Sequence, residues 1–535
     1  MEERKFLTDI LADSHLCWKP GSEVFISAQP GKGKTTYCLK VLLKEAIRNN
    51  QEILFLSNRD TLHRQILPEV CKLFDIPYQY YSDVKFAEFQ GITLTTYQTI
   101  AEMLHKNSVY NNIPYYHYVV MDEVHFFEED SDFNAKIQRL LKWRERIQCG
   151  VEIFLSATLE DILVEFGYWD SCWKTVYEND ILTVRERPAK NIVRSLKGQP
   201  ERIFFYDIPR EIPRCNIFVY DDVADVIEKI NLEENDDKWL LFQSNKTKAH
   251  NNIAKNLTVS KAIITADDKT CRAMKEIIEN QCFEEKVLIT TKVLDNGVSI
   301  HDTKVKNILI ETTSKTEFIQ MLGRRRIEKD EDVVLNLFIP RMNAGYFKSM
   351  IVRRIQPMLE IAELSQAELM EAVMDDEKSG YVKSLFDVEN GKFVLNPIGE
   401  RRLHRRKKYF EKIATAMAND ENYFVKEQLS WMGISDMENV TFFEDLKYQK
   451  HFEEIKEILG QLLGVELDKE EQKCFRNSLK LHLPEMLPER FPQKGRLPGL
   501  NVINGCFQSL GLPYRIESKS GKKKGEETSW LITKI

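Results

Sequence analysis

Ala28-Gln29-Pro30-Gly31-Lys32-Gly33-Lys34-Thr35-Thr36 is the stretch on which the reading of this chain turns. Val24-Phe25-Ile26-Ser27 before it is a short apolar run, as in a buried strand. Tyr37 to Leu43 after it has the look of a helix start. Strand, glycine-containing loop and helix together are the context a phosphate-binding loop needs. Glycines let backbone N–H groups turn inward around phosphate oxygens. The helix N-terminus adds partial positive charge there. Gln29, Pro30, Gly31, Lys32, Gly33, Lys34, Thr35 and Thr36 are therefore expected to hold the phosphates of ATP. Lys34 would reach the β- and γ-phosphates and the Thr35 hydroxyl would ligate Mg2+. The loop opens on Ala28 rather than the usual glycine, and alanine is small enough to fit.

Four further apolar runs end in polar residues: Glu52 to Arg59, Gly91 to Gln98, Tyr118 to His125 and Val151 to Thr158. Helical segments such as Ala135 to Arg146 lie between them. Strands alternating with helices predict a parallel sheet covered on both faces. In such sheets ligands collect at the carboxyl ends of the strands, where these polar tails fall. Asp122-Glu123 ends one of these runs. Asp122 is placed to hold Mg2+ and Glu123 to polarise the attacking water.

The bulk composition sets outer bounds. A chain of 535 residues holds more than one domain, and 43% hydrophobic with 30% charged residues is that of a soluble globular protein. The formal net charge of -7 means that any nucleic-acid contact uses local patches. Ten scattered cysteines contain no C-x-x-C pair, so no zinc ribbon is indicated and the thiols read as reduced. No apolar run approaches a membrane span and the first residues lack a signal-peptide core, so a cytoplasmic location is expected.

Ala28 to Thr35, Asp122-Glu123-Val124-His125 and Ser156-Ala157-Thr158 resemble motifs I, II and III of superfamily 2 helicases, close to the DEAH/DExH group. The resemblance implies that His125, Ser156 and Thr158 couple hydrolysis to nucleic-acid movement. Asn58, Arg59, Thr95 and Thr96 fall where that family places its strand-contacting motifs. A second set of apolar runs follows, at Lys238 to Asn245, Ala262 to Ala266, Lys286 to Thr291, Lys306 to Thr312 and Val333 to Ile339. They predict a second parallel lobe without its own phosphate loop. Thr290 to Ile300 looks like motif V, and Gln320-Met321-Leu322-Gly323-Arg324-Arg325-Arg326 like motif VI. By that resemblance Asp295 and Gly297 touch nucleotide, while Gln243, Ser244, Asn245 and Thr291 touch nucleic acid. Gln320 orients water, and Arg324 and Arg326 stabilise the transition state. The family's second arginine would fall on Ile327, so Arg326 is offset by one.

The last third reads as helices, among them Ile355 to Met374, Glu411 to Ala418 and Phe452 to Leu463. The basic run Arg401 to Tyr409 suits either a phosphate backbone or a solvated helix face. Leu500 to Leu510, then two strands around a Lys/Gly-rich tip, resembles the helix and basic wing of a winged-helix module.

The expected fold is α/β, two tandem RecA-like parallel-sheet lobes followed by a mostly helical C-terminal region with a winged-helix-like end. The expected divisions are 1–180, 181–345, 346–490 and 491–535. The expected activity is that of an ATP-dependent helicase or translocase using Mg2+. Its partner is nucleic acid, DNA favoured over RNA, with no membrane. The alternative is a nucleic-acid-stimulated ATPase acting as a clamp without strand separation.

Overall fold

The computed structural model describes residues 6–535 except 59–65, 79–83, 107–113, 130–134, 145–148, 167–173, 179–182, 189–201, 209–211, 245, 266–270, 292–293, 295–298, 328–330, 492–498 and 520–527. The first lobe is built on β1 (Ser22–Ser27), β2 (Ile53–Ser57), β3 (Phe86–Phe89), β4 (Ile92–Thr96), β5 (Tyr116–Asp122) and β6 (Cys149–Ser156). Three further strands, β7 (Lys174–Glu178), β8 (Thr183–Pro188) and β9 (Arg202–Asp207), complete it. The sheet order is β3-β4-β2-β5-β6-β1-β9-β8-β7. From β4 to β9 the pairing is parallel. These strands are apolar nearly throughout because helices cover both faces. Val24, Phe25 and Ile26 of β1 are fully buried, split between the two core clusters that lie on either side of the sheet.

The sequence places the end of the first lobe at residue 180. Instead β9 pairs with β1 from Glu23↔Ile203 to Ser27↔Asp207, and β8 and β7 extend the sheet in antiparallel fashion. The first lobe therefore runs to Asp207. Edge hairpin strands of mixed polarity, such as Lys174–Glu178, lack the continuous apolar run that marks the central strands.

The second lobe begins with β10 (Cys215–Tyr220) and continues with β11 (Lys238–Phe242), β12 (Lys261–Ile264), β13 (Val287–Thr290), β14 (Val305–Ile310) and β15 (Leu335–Pro340). Its order is β12-β13-β11-β14-β15-β10, and the pairs from β12 to β15 are parallel. These are two tandem RecA-like lobes followed by a mostly helical region.

The helices Ala344–Met350, Gln356–Ala362, Gln366–Met374, Lys378–Leu385, Pro397–Ala416 and Tyr423–Trp431 belong to the same compact unit as both lobes. The expected helix Ile355 to Met374 is broken after Ala362, and a capping box at Ser365 with Glu368 starts a new one. Ile398 of this region sits in a core cluster of the first lobe. Trp431 meets Phe318 of the second lobe at 5.4 Å between ring centroids. Three residues of the basic run Arg401 to Tyr409 have partners within the protein: Arg401 and Arg405 both pair with buried Glu165, and Lys407 donates to Gln356. Its sequence gave no sign of the acidic partner, which lies more than two hundred residues away. Among the described residues no helix is long and apolar enough to cross a membrane.

A second compact unit comprises residues 218–221 and 439–535, so the boundary expected at 490 falls at 438 instead. After β18 (Val440–Phe442) it runs helix Phe443–Gln461, β19 (Glu466–Leu467), helix Lys469–Leu479, short helix Leu483–Met486 and helix Leu500–Ser509. It ends in β20 (Tyr514–Lys519) and β21 (Ser529–Lys534), with sheet order β19-β21-β20. This is a winged-helix-like arrangement. Ile455, Leu459, Phe475, Leu479, Ile503, Phe507 and Ile532 share one core, which is why the earlier helices belong with the hairpin. The Lys/Gly-rich tip, 520–525, lies outside the described residues.

Arg139, on helix Ile137–Arg144, and Asp387, on β16 (Phe386–Glu389), form an ion pair with both side chains at most 5% exposed. Removing one partner of such a pair leaves an uncompensated buried charge. Asp387→Ala is expected to lower unfolding free energy by about 3–5 kcal/mol, read from urea denaturation.

Candidate active site

Strand register assembles the site. β5, β6 and β1 are adjacent, and their pairing sets Ser27 beside Ser156 and Asp122 beside Leu155. Backbone bonds carry this register past the strand ends: Ala28 N–H donates to Ser156 O at 2.9 Å, and Val124 N–H to Leu155 O at 3.0 Å. The loop 28–33, the acidic pair and Ser156-Ala157-Thr158 therefore meet at one carboxyl edge, as the sequence predicts.

The loop turns at Gly31 and Gly33, whose φ angles of +85° and +81° are open to glycine and costly for other residues. Helix Lys34–Tyr37 starts directly after it and continues through a π-helical turn, Cys38–Leu42, into Leu43–Arg48. Lys34 is buried. Its ammonium donates to Ala28 O and to Glu123 Oε1, both at 3.1 Å. Residues at the N-terminus that the sequence reading missed brace the loop: Leu7 N–H donates to Lys32 O at 3.0 Å, and Phe6 packs near Gly33.

Glu123 has φ +50°, a left-handed conformation unusual for a non-glycine residue, which turns its carboxylate back toward Lys34. Burial alone would raise its pKa, but Lys34 and His125 outweigh burial and hold the carboxyl well below the usual range. Asp122 is 3% exposed. Burial and the Glu123 charge push it up to about 7 against the opposing pull of Lys34 and His125. One carboxyl is thus held firmly ionised while its neighbour takes up a proton far more readily than an ordinary aspartate.

His125 carries the connection onward. Its Nδ1 lies 2.9 Å from Ser156 Oγ and 3.3 Å from Glu123 Oε2. Its Nε2 lies 2.8 Å from the Gln320 side-chain amide nitrogen. With Nδ1 protonated, the ring donates to Ser156 Oγ, Ser156 Oγ–H donates on to Thr158 O at 2.9 Å, and the Gln320 amide meets the ring's other nitrogen. A continuous chain of hydrogen bonds therefore runs from the second lobe into the first.

The second lobe also brings a cation to the loop. Ile300 N–H donates to Arg324 O and Arg326 N–H to Ile300 O, so residues 324–326 lie extended beside Ile300. Successive side chains then leave opposite sides. Arg325 points into its own lobe, donating to Val305 O and pairing with Glu331. Arg326 points the other way. Its Nη1 lies 2.9 Å from where a Cβ on Gly31 would stand, and its Nε donates to Ser299 Oγ at 3.0 Å. Pro30 packs against Gly323 in the same seam. The offset arginine, Arg326, therefore faces this loop, and Arg324 is buried. Ser299 stood inside the motif V stretch, but nothing in its residue type singled it out.

The other expected contacts divide. Thr35 and Thr36 are partly exposed at the loop, as are Gln29 and Pro30. Thr95 and Thr96 are buried and spent inside the lobe: Thr95 donates to Lys85 O, and Thr96 Oγ1 accepts from Thr99 N–H at the start of helix Tyr97–Lys106. Their hydroxyls do not present a strand-contacting surface. Gln243 is buried, and Ser244 donates to Glu311. Asn58 and Thr291 stand at the carboxyl ends of β2 and β13. Arg59, Asn245, Asp295 and Gly297 lie outside the described residues.

Residues 10–166 match the family model described as DEAD/DEAH box helicase. That stretch lies within the first lobe. No curated protein matches the chain. Among solved structures, the Escherichia coli DEAH/RHA helicase HrpB is similar at 12% identity and TM-score 0.39, over 82% of this chain and 61% of that one. The Mycobacterium smegmatis helicase Lhr, solved bound to ssDNA and AMP-PNP, is similar at 13% identity and TM-score 0.41, over 75% and 60%. The chain spans about three fifths of the length of each.

In the first lobe, Asp122 binds its proton more tightly folded than unfolded. Its contribution to stability is present below the ordinary carboxylate range and is lost as pH rises through about 7. Asp122→Asn is therefore expected to raise the melting temperature of the metal-free protein, by more at pH 8 than at pH 5, in paired thermal scans.

Proposed function

We propose that this chain is a nucleic-acid-dependent ATPase of superfamily 2, a helicase or translocase that hydrolyses ATP between its two lobes. The observation that carries the reading is the Arg326 guanidinium of the second lobe lying against Gly31 of the phosphate loop. Phosphoryl transfer needs positive charge at the developing transition state, and a guanidinium supplies it without losing its proton.

Lys34 holds the β- and γ-phosphates, exchanging its present bonds to Ala28 and Glu123 for phosphate oxygens. Glu123, kept ionised, accepts a proton from the attacking water, and Gln320 helps orient that water. Asp122 and Thr35 fit a divalent cation. A buried carboxyl whose charge is disfavoured by its surroundings is one a bound cation would restore to its ionised form. Mg2+ held there supplies charge neutralisation for the phosphates. The Gln320–His125–Ser156–Thr158 chain links the state of the seam to the loop after β6, which suits coupling between hydrolysis and movement along a strand. Phosphate-backbone contacts along the two lobes position the strand without reading its sequence.

Lys34→Ala and Glu123→Gln are each expected to lower stimulated ATPase turnover by at least about 10²-fold, with melting transitions that show an intact fold. ATPase rate measured against single- and double-stranded DNA and RNA, beside a strand-displacement assay, identifies the activating nucleic acid and separates unwinding from clamping. Wild-type turnover in either variant would refute the assignment.

A further inference from the structure

Far along the chain from the nucleotide pocket, three metal-ligating groups converge in the second compact unit. His451 and Glu454 lie one turn apart on helix Phe443–Gln461. His482 lies just past helix Lys469–Leu479, at the entry to Leu483–Met486. His451 Nδ1 and His482 Nδ1 are 3.0 Å apart. Glu454 Oε2 is 3.1 Å from the His482 nitrogen and 3.7 Å from the His451 nitrogen.

These spacings have a shared explanation. Two imidazole nitrogens facing each other at 3.0 Å hold at most one proton between them, since two N–H groups would set donor against donor. A carboxylate oxygen then completes a triangle of lone pairs around a common point. In a tetrahedral zinc site with bonds of roughly 2.0–2.2 Å, neighbouring ligand atoms stand roughly 3.3–3.5 Å apart. The three observed edges bracket that value. A triangle with those edges has a circumscribed radius of about 1.9 Å, so one ion can stand about 2 Å from all three donors. Among the described residues no other cluster of this kind occurs.

We propose that His451 Nδ1, Glu454 Oε2 and His482 Nδ1 bind one divalent transition-metal ion of the zinc class. Two nitrogens and one oxygen suit zinc, whereas magnesium and calcium prefer all-oxygen sets. All three residues are partly exposed, so a water or a partner's side chain takes the fourth position. The ion joins the first helix of the unit to the segment that leads into helix Leu500–Ser509, across 31 residues of chain. A small unit with one modest core gains stability from such a staple.

The test uses the full chain, stripped with a chelator and titrated with Zn2+ and Co2+. One equivalent is expected to bind at micromolar affinity or tighter. The Co2+ adduct should show tetrahedral ligand-field bands without thiolate charge transfer, which separates this site from the ten cysteines. His451→Gln and Glu454→Gln should each weaken binding by at least about 10-fold and remove the metal-dependent rise in melting temperature. Because Glu454 is the most exposed of the three, Glu454→Gln decides the matter if a histidine variant fails to fold. Absence of stoichiometric binding, a thiolate spectrum, or unchanged affinity in the folded Glu454→Gln variant would overturn the proposal.

Discussion

The Arg326 guanidinium occupies the space a side chain on Gly31 would need, and that close approach is the constraint on which the rest of the structure depends. It is possible only because residue 31 has no side chain and adopts a left-handed turn. A Cβ there would both strain the backbone and strike the arginine. The loop proposed to wrap phosphate thus leaves room, at the same residue, for a cation from the other lobe. Ser299 and Ile300 fix the arginine from behind, and Arg325, turned into the second lobe, anchors the segment that presents it.

The electrostatics of the first lobe follow from how closely charges are packed there. Lys34, Asp122, Glu123 and His125 share a buried region where unpaired charge is expensive. The one ammonium goes to Glu123, and Asp122 is left with a charge that burial disfavours. A folded protein that keeps such a group is less stable than it need be, and functional sites are where that cost is commonly found. The backbone outlier at Glu123 belongs to the same pattern.

Much of this was legible in the sequence. Continuous apolar runs ending in polar residues located the central strands of both sheets, and the residues at their carboxyl ends meet as expected. What the sequence hid has physical causes. The edge strands β7 and β8 carry no continuous apolar run to separate them from a loop. Thr95 and Thr96 had the residue types for phosphate contact, but the local backbone took their hydroxyls. The arginines at 401 and 405 suited either a phosphate backbone or a solvated helix face, and their partner Glu165 is remote in sequence. The winged-helix-like unit was seen only by its last helix and hairpin, because its earlier helices have ordinary amphipathic spacing and are joined to it through a core that spacing does not reveal.

The central claim is that the second lobe completes the hydrolytic site of the first through Arg326. ATP affinity and single-turnover hydrolysis measured side by side on Arg326→Ala test it most directly. The account predicts affinity within a few-fold of wild type and a hydrolysis step slower by about 10³-fold or more. Hydrolysis at the wild-type rate with ATP bound would contradict it.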